Sequence, residues 1–203
     1  MKHSIYLYVG FLFFWGHRMY SHNLINIKDI DPTIVVELRY ATDNNFTHQK
    51  VYTFTQCYVL KEIAFALKNV QEALKKFGLG LKIWDGFRPK AAQWKFWELV
   101  PDPRYVSDPR KGGRHTRGTT VDLTLVDLKT GKELIMPTPF DDFTEKAWSN
   151  YQSLPQVALN NRTLLQNIMQ KYGFEPVKTE WWHFDFQNWQ NYPVLDISPE
   201  ELS

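Results

Sequence analysis

His115-Thr-Arg-Gly-Thr-Thr-Val-Asp122, continuing as Leu-Thr-Leu-Val-Asp-Leu128, is where the chain commits to a sheet. From Val121 to Leu128 the residues alternate well enough for a strand. Gly118 lets the backbone bend just before it. Lys129-Thr130-Gly131-Lys132 then supplies a hairpin turn into a second strand, Glu133 to Met136.

Helical and extended patterns alternate on both sides of this hairpin. Thr33 to Tyr40 is β-rich and follows Asp31-Pro32, which predicts an early strand. From Leu60, apolar residues at 60, 63, 64, 67, 70, 74 and 77 keep helical spacing until Gly78 stops them. Leu81 to Trp84 reads as a short buried strand, and Pro89 suits the start of a helix through Ala91, Ala92, Trp94 and Trp97. Leu99 to Gly113, with three prolines and two glycines, is a loop. A further helix runs from about Asn161 to Gly173, and the last strand is expected over Glu180 to Phe186. The fold class is therefore α+β: a single domain over residues 22–203, with a small, mainly antiparallel sheet flanked by helices.

Composition narrows the function. The 203 residues carry 24 Lys plus Arg against 22 Asp plus Glu, with no basic stripe of the kind that neutralises phosphates, so nucleic acid is excluded as a partner. A single cysteine, Cys57, rules out an internal disulfide and a cysteine-based zinc site; it reads as a small buried residue. Lys2 and His3 precede an apolar run, Ile5 to Trp15, which is shorter than the ~20 residues of a spanning helix. Residues 1–21 thus have the order of a secretory signal, or of an uncleaved anchor, and predict export to the periplasm, with a cytoplasmic location as the alternative. Without them the domain is neutral, because Lys2 and Arg18 carry the net charge.

Chemistry gathers at two places. His115 and Asp122 flank Gly118 on a turn that runs into a strand, so their side chains can converge. Glu180-Trp-Trp-His183 is the second; on a straight strand residues three apart face opposite ways, so these two could share a cavity only through a bend, a bulge or a strand end. Two histidines and a carboxylate form a ligand set that zinc accepts in catalytic sites, leaving the other carboxylate free as a base. Taken singly, His115 or His183 reads as a hydrogen-bonded structural histidine, Asp122 as a turn or cap residue, and Arg88 as the partner of a surface carboxylate. His22 and His48 lie in polar sequence and read as solvated.

Gly113 to Leu125 followed by Glu180-Trp-Trp-His-Phe184 resembles the D-alanyl-D-alanine dipeptidases, the VanX-type zinc peptidases of family M15. The resemblance extends to Leu38-Arg-Tyr-Ala-Thr-Asp-Asn-Asn-Phe-Thr47, Ile83-Trp-Asp-Gly-Phe-Arg-Pro89 and Pro139-Phe-Asp141, in the right order. It implies one zinc ion per chain on His115, Asp122 and His183, Glu180 as catalytic acid/base, Arg88 as transition-state stabiliser and Asp141 as the carboxylate for the substrate's ammonium group. The implied substrate is the dipeptide D-Ala-D-Ala. The family commonly has serine at the position of Gly113, so a hydroxyl contact to the substrate is lost here. Two other activities stand beside this expectation: a zinc D,D-carboxypeptidase or peptidoglycan endopeptidase, and a non-catalytic binding protein of cell-wall fragments.

Overall fold

Leu81 and Ile83 on one strand face Leu125 and Leu123 on the next, and all four are fully buried. That pairing joins β4 (Leu79–Asp85) to β5 (Thr120–Asp127) at the centre of a five-stranded sheet. The computed structural model describes residues 23–202, and the expected leader lies outside them. A short ribbon of β1 (Leu24–Asn26) and β3 (Tyr58–Leu60) runs antiparallel, with the one-turn helix α1 (Ile27–Ile30) following β1. In the main sheet β2 (Val35–Val36) lies parallel to β4. The remaining pairs are antiparallel: β4 with β5, β5 with β7 (His183–Phe186), and β7 with β6 (Phe174–Pro176). The α+β expectation, with a mainly antiparallel sheet, is met.

Helix α2 (Lys61–Lys75) buries Ile63, Ala64, Leu67, Val70 and Leu74 at the predicted spacing, leaving Lys61 and Lys68 in solvent. The chain leaves this helix through Gly78, whose φ of +72° is costly for any side-chain-bearing residue. Helix α3 (Lys90–Leu99) begins directly after Pro89, and α4 (Gln156–Lys171) precedes β6. Among the described residues no helix is long and apolar enough to cross a membrane.

Four expectations are corrected. The early strand shrinks to β2, because the sheet ladder ends where a bulge between Ile83 and Asp85 shifts the register of β4; beyond it Arg39–Ala41 forms a 3-10 turn that buries Tyr40. Glu133 to Met136 makes only an isolated bridge, Val126 with Glu133, since β7 occupies the other half of that edge of β5 and Pro137 and Pro139 end the pairing. Helix α4 starts at Gln156, five residues before the expected position, because Pro155 opens it. The last strand starts at His183, and residues 180–182 form a turn.

Candidate active site

That turn removes the obstacle posed by a three-residue spacing on a strand. His183 N donates to Glu180 O at 3.3 Å and Leu123 N to Trp182 O at 3.0 Å, so the chain doubles back and Glu180 folds to the same side as His183. Glu180 Oε2 lies 3.5 Å from His183 Nδ1. His183, the first residue of β7, is directly opposite Asp122 on β5. His115 arrives from the other direction, on a 3-10 turn (His115–Arg117) closed by Gly118 at φ +69°. A Cβ on Gly118 would also come within 2.9 Å of Leu24 Cδ2. Gly118→Ala is therefore expected to cost about 1–2 kcal/mol from its left-handed backbone alone, read as a lower urea midpoint.

His115, Asp122 and His183 bring three ligand atoms within 4.8 Å of one another. His115 Nδ1 lies 2.9 Å from Gly86 O and His183 Nε2 lies 3.1 Å from Asp185 Oδ1. These outer acceptors assign the N–H of each ring, leaving lone pairs on His115 Nε2 and His183 Nδ1, which are 3.4 Å apart. Asp122 Oδ2 is 3.3 Å from the first nitrogen and Oδ1 3.1 Å from the second, and the residue is buried. Two imidazole nitrogens and a carboxylate thus face one space, a donor set that fits a divalent cation.

The acidity of these groups follows their surroundings. Burial opposes the Asp122 charge, but the two histidines outweigh it and hold its carboxyl below the usual range. Burial likewise works against a charged His183, and Asp185 and Asp122 override it, raising the imidazole to about 10. A cation must displace that proton, so metal affinity is expected to fall as pH falls. Glu180 is pushed up to about 8 by burial, with Asp122 and Asp141 adding to it and His183 and Arg88 opposing.

Arg88 is 6% exposed, and its partner is buried rather than a surface carboxylate. Its Nε and Nη2 donate to Asp85 Oδ2 at 3.1 and 2.8 Å, and Nη1 to Gln93 Oε1 at 3.1 Å. The guanidinium stacks over Phe96 at 4.8 Å and Tyr40 at 5.3 Å, with Nη2 3.9 Å from Asp122 Oδ2. Gly113 belongs to this support: a Cβ there would press on Gln93 Oε1 at 3.2 Å, so the missing serine makes room for the glutamine that holds Arg88. Asp141, at φ +61°, accepts from Tyr40 Oη and Phe46 N, both at 3.0 Å, and burial raises its carboxyl to about 7.

These groups line one narrow cavity of about 30 Å³, room for one or two waters, so any substrate must be small and must push side chains aside to enter. Trp182 walls it, while Trp181 turns away, its Nε1 donating to Thr138 Oγ1 at 3.0 Å. His48 is exposed, and Cys57 is buried with its thiol pushed up by desolvation, so neither takes part. Sequence reasoning missed Asp85, Gln93, Asp185 and Tyr40 as parts of the site. Asp185 had a signal: two residues after His183 on a strand, it shares that residue's face.

The family model described as D-ala-D-ala dipeptidase, Peptidase_M15, matches residues 20–196. A D-alanyl-D-alanine dipeptidase of Escherichia coli (strain K12) is 38% identical over 172 residues, covering 85% of this chain and 89% of that one. One of Enterococcus faecalis (strain ATCC 700802 / V583) is 32% identical over 168 residues, covering 73% and 83%. A solved structure of the D,D-pentapeptidase VanY is more distant, with a TM-score of 0.43 at 12% identity over 68% of this chain and 78% of that one. With a family match running from ahead of the first strand to beyond the last, and through every residue of the cavity, the chain belongs to the Peptidase_M15 family, D-ala-D-ala dipeptidase.

Proposed function

We propose that the chain hydrolyses D-alanyl-D-alanine to two molecules of D-alanine, using one zinc ion held by His115, Asp122 and His183. The observation that carries this reading is the convergence of His115 Nε2, His183 Nδ1 and the Asp122 carboxylate beside the buried carboxyl of Glu180. When bound, zinc supplies a Lewis acid for the scissile carbonyl and lowers the pKa of a water to about 7. Glu180 takes the proton of the attacking water and returns it to the leaving amine nitrogen; burial has brought its carboxyl near the working pH, where one group can do both. Arg88, fixed by Asp85 and Gln93, places N–H donors against the oxyanion without having to reorient. Asp141 receives the substrate's ammonium group. A dipeptide offers little apolar surface, so its charged ends must supply most of the recognition.

A D,D-carboxypeptidase or wall endopeptidase needs an open groove, whereas this cavity is narrow. The signal-like order of residues 1–21 supports export, where the enzyme would recover D-alanine from wall turnover. The test is D-alanine release by the purified chain before and after a chelator. Activity is expected to fall to background and to return with one equivalent of zinc; activity that survives complete zinc removal sinks the mechanism.

A further inference from the structure

At about 30 Å³ the catalytic cavity is far smaller than a dipeptide, so part of its wall has to move before substrate enters. His115, Asp122 and His183 sit on the sheet or on the turn leading into it, and Asp141 is tied to Tyr40 and to the Phe46 amide. Tyr105, Val106 and Ser107, which also line the cavity, are held differently. They belong to residues 101–112, whose backbone hydrogen bonds are local: Tyr105 N and Val106 N donate to Asp102 O, Lys111 N to Asp108 O and Gly112 N to Pro109 O. The carboxylates of Asp102 and Asp108 are taken up by Arg104 and Arg110 of the same segment. Among the described residues, two side-chain donors tie it to the rest of the molecule, Thr179 Oγ1 to Arg104 O at 3.0 Å and Gln93 Nε2 to Ser107 O at 2.7 Å.

Gln93, on α3 and only 2% exposed, faces two ways: Nε2 donates to Ser107 O, while Oε1 accepts from Arg88 Nη1 at 3.1 Å. A carbonyl can only accept and a guanidinium can only donate, so the two ends of the amide cannot exchange. If residues 101–112 swing out, Nε2 is left buried without an acceptor. The amide must then turn to find water, and in turning it takes Oε1 away from Arg88. We infer that residues 101–112 are a lid over the catalytic cavity and that Gln93 is the positioning residue that couples the lid to Arg88. The guanidinium is held ready for the oxyanion when the lid is shut and loses that support when it opens. Gly112, at φ +77°, ends the segment in a conformation that glycine adopts freely, which suits a hinge. The role of Arg88 in this coupling rests on the proposed dipeptidase reading; the lid itself does not.

The lid carries its own reporter, because Arg104, Arg110 and Lys111 are exposed and each is a site for trypsin. Cutting of a folded chain follows the population of its open form. Zinc-loaded wild type, Gln93→Glu and Gln93→Met are compared for tryptic cutting within residues 101–112, kcat on D-Ala-D-Ala, zinc content and thermal midpoint. Neither replacement can donate to Ser107 O, so both variants are expected to be cut about tenfold faster than wild type. Their turnover should part. Glutamate still offers Arg88 an acceptor and should keep kcat within about fivefold of wild type, whereas methionine offers none and should lower it about tenfold or more. In the Glu180→Gln chain, where the dipeptide is barely turned over, saturating D-Ala-D-Ala should slow cutting about tenfold as the lid closes over it. Folded, zinc-replete Gln93 variants cut at the wild-type rate overturn the lid and its latch. Equal loss of kcat in both variants, or loss in neither, overturns the coupling to Arg88. Should Gln93→Met fold poorly, Gln93→Glu, which keeps the shape of the amide, and Thr179→Val, which removes the other tie from outside the cavity, judge the lid by their cutting rates. A wild-type chain that releases no D-alanine overturns the dipeptidase reading alone, since the cutting rates still decide whether residues 101–112 are a lid.

Discussion

Glu180→Gln is expected to lower turnover of D-Ala-D-Ala by about 10²–10⁴-fold while zinc content stays at one per chain. The amide keeps the volume of the carboxylate in a position only 7% exposed, so packing is conserved and the change is confined to proton transfer. Glu180 approaches the cluster only through Oε2, 3.5 Å from His183 Nδ1, whereas the Asp122 oxygens are 3.1 and 3.3 Å from the two nitrogens. Loss of charge at Glu180 should therefore spare the metal. The KM for the dipeptide should change far less than kcat, because the interaction removed is made chiefly in the transition state. A variant that holds full zinc yet hydrolyses at the original rate removes Glu180 from the mechanism. One that loses its zinc moves Glu180 among the ligands.

How far the molecule could be read from its sequence depended on whether the signal was local. The helix over Lys61–Lys75 and the strand over Thr120–Asp127 follow from side-chain period alone, and both form where the pattern places them. The return strand after Lys132 was a hairpin reading that tertiary context overrode. β7, which arrives from residues 183–186, too far along the chain for any turn rule to anticipate, takes the Thr120–Asp122 half of that edge, and Pro137 and Pro139 end the pairing on the rest. The shortened early strand has the same origin, since the bulge at Ile83/Asp85 belongs to a different strand from the one it truncates.

In the site, the histidines and carboxylates stand out as residue types, and their motifs already pair them. What holds them does not stand out. Asp85, Gln93 and Asp185 are ordinary polar residues until the fold carries Gly86 O to His115, Arg88 to Gln93 and Asp185 to His183. The position of Glu180 was the sharpest difficulty in the sequence, because a regular strand sets it opposite His183. A three-residue turn resolved it, and two consecutive tryptophans favour strand too strongly for that turn to be read in advance. Gly113 is a comparable case. As a departure from a motif it registers only as a lost hydroxyl; beside Gln93 it is the space that lets another side chain hold Arg88.

Asp85→Ala is expected to be the most damaging single substitution, destabilising the fold by about 3–5 kcal/mol because it strands a buried guanidinium. Asp85 is completely buried; it accepts from Arg88, from Tyr52 Oη at 2.8 Å and from Gly86 N at 2.9 Å. Burial raises its carboxyl, with Arg88 and His115 pulling it back, which marks a charge that depends on its partners. Removing the carboxylate takes away the only anion that Arg88 hydrogen-bonds among the described residues, leaving Asp122 at 3.9 Å as the nearest alternative. The guanidinium would be drawn towards Asp122 and away from the oxyanion, so kcat on the dipeptide should fall about 10²–10³-fold in the molecules that remain folded. Urea unfolding and steady-state kinetics measure the two effects separately. The double variant Asp85→Ala/Arg88→Ala discriminates the cause: if an unpaired buried charge is what destabilises, deleting both partners should restore part of the lost stability without restoring activity. Asp102→Ala, which breaks an equally short pair with Arg104 on the exposed loop, should be indistinguishable from wild type. A double variant no more stable than Asp85→Ala would show that Asp85 acts through Tyr52 and Gly86, and that Arg88 is held in place by its aromatic neighbours, Tyr40 and Phe96.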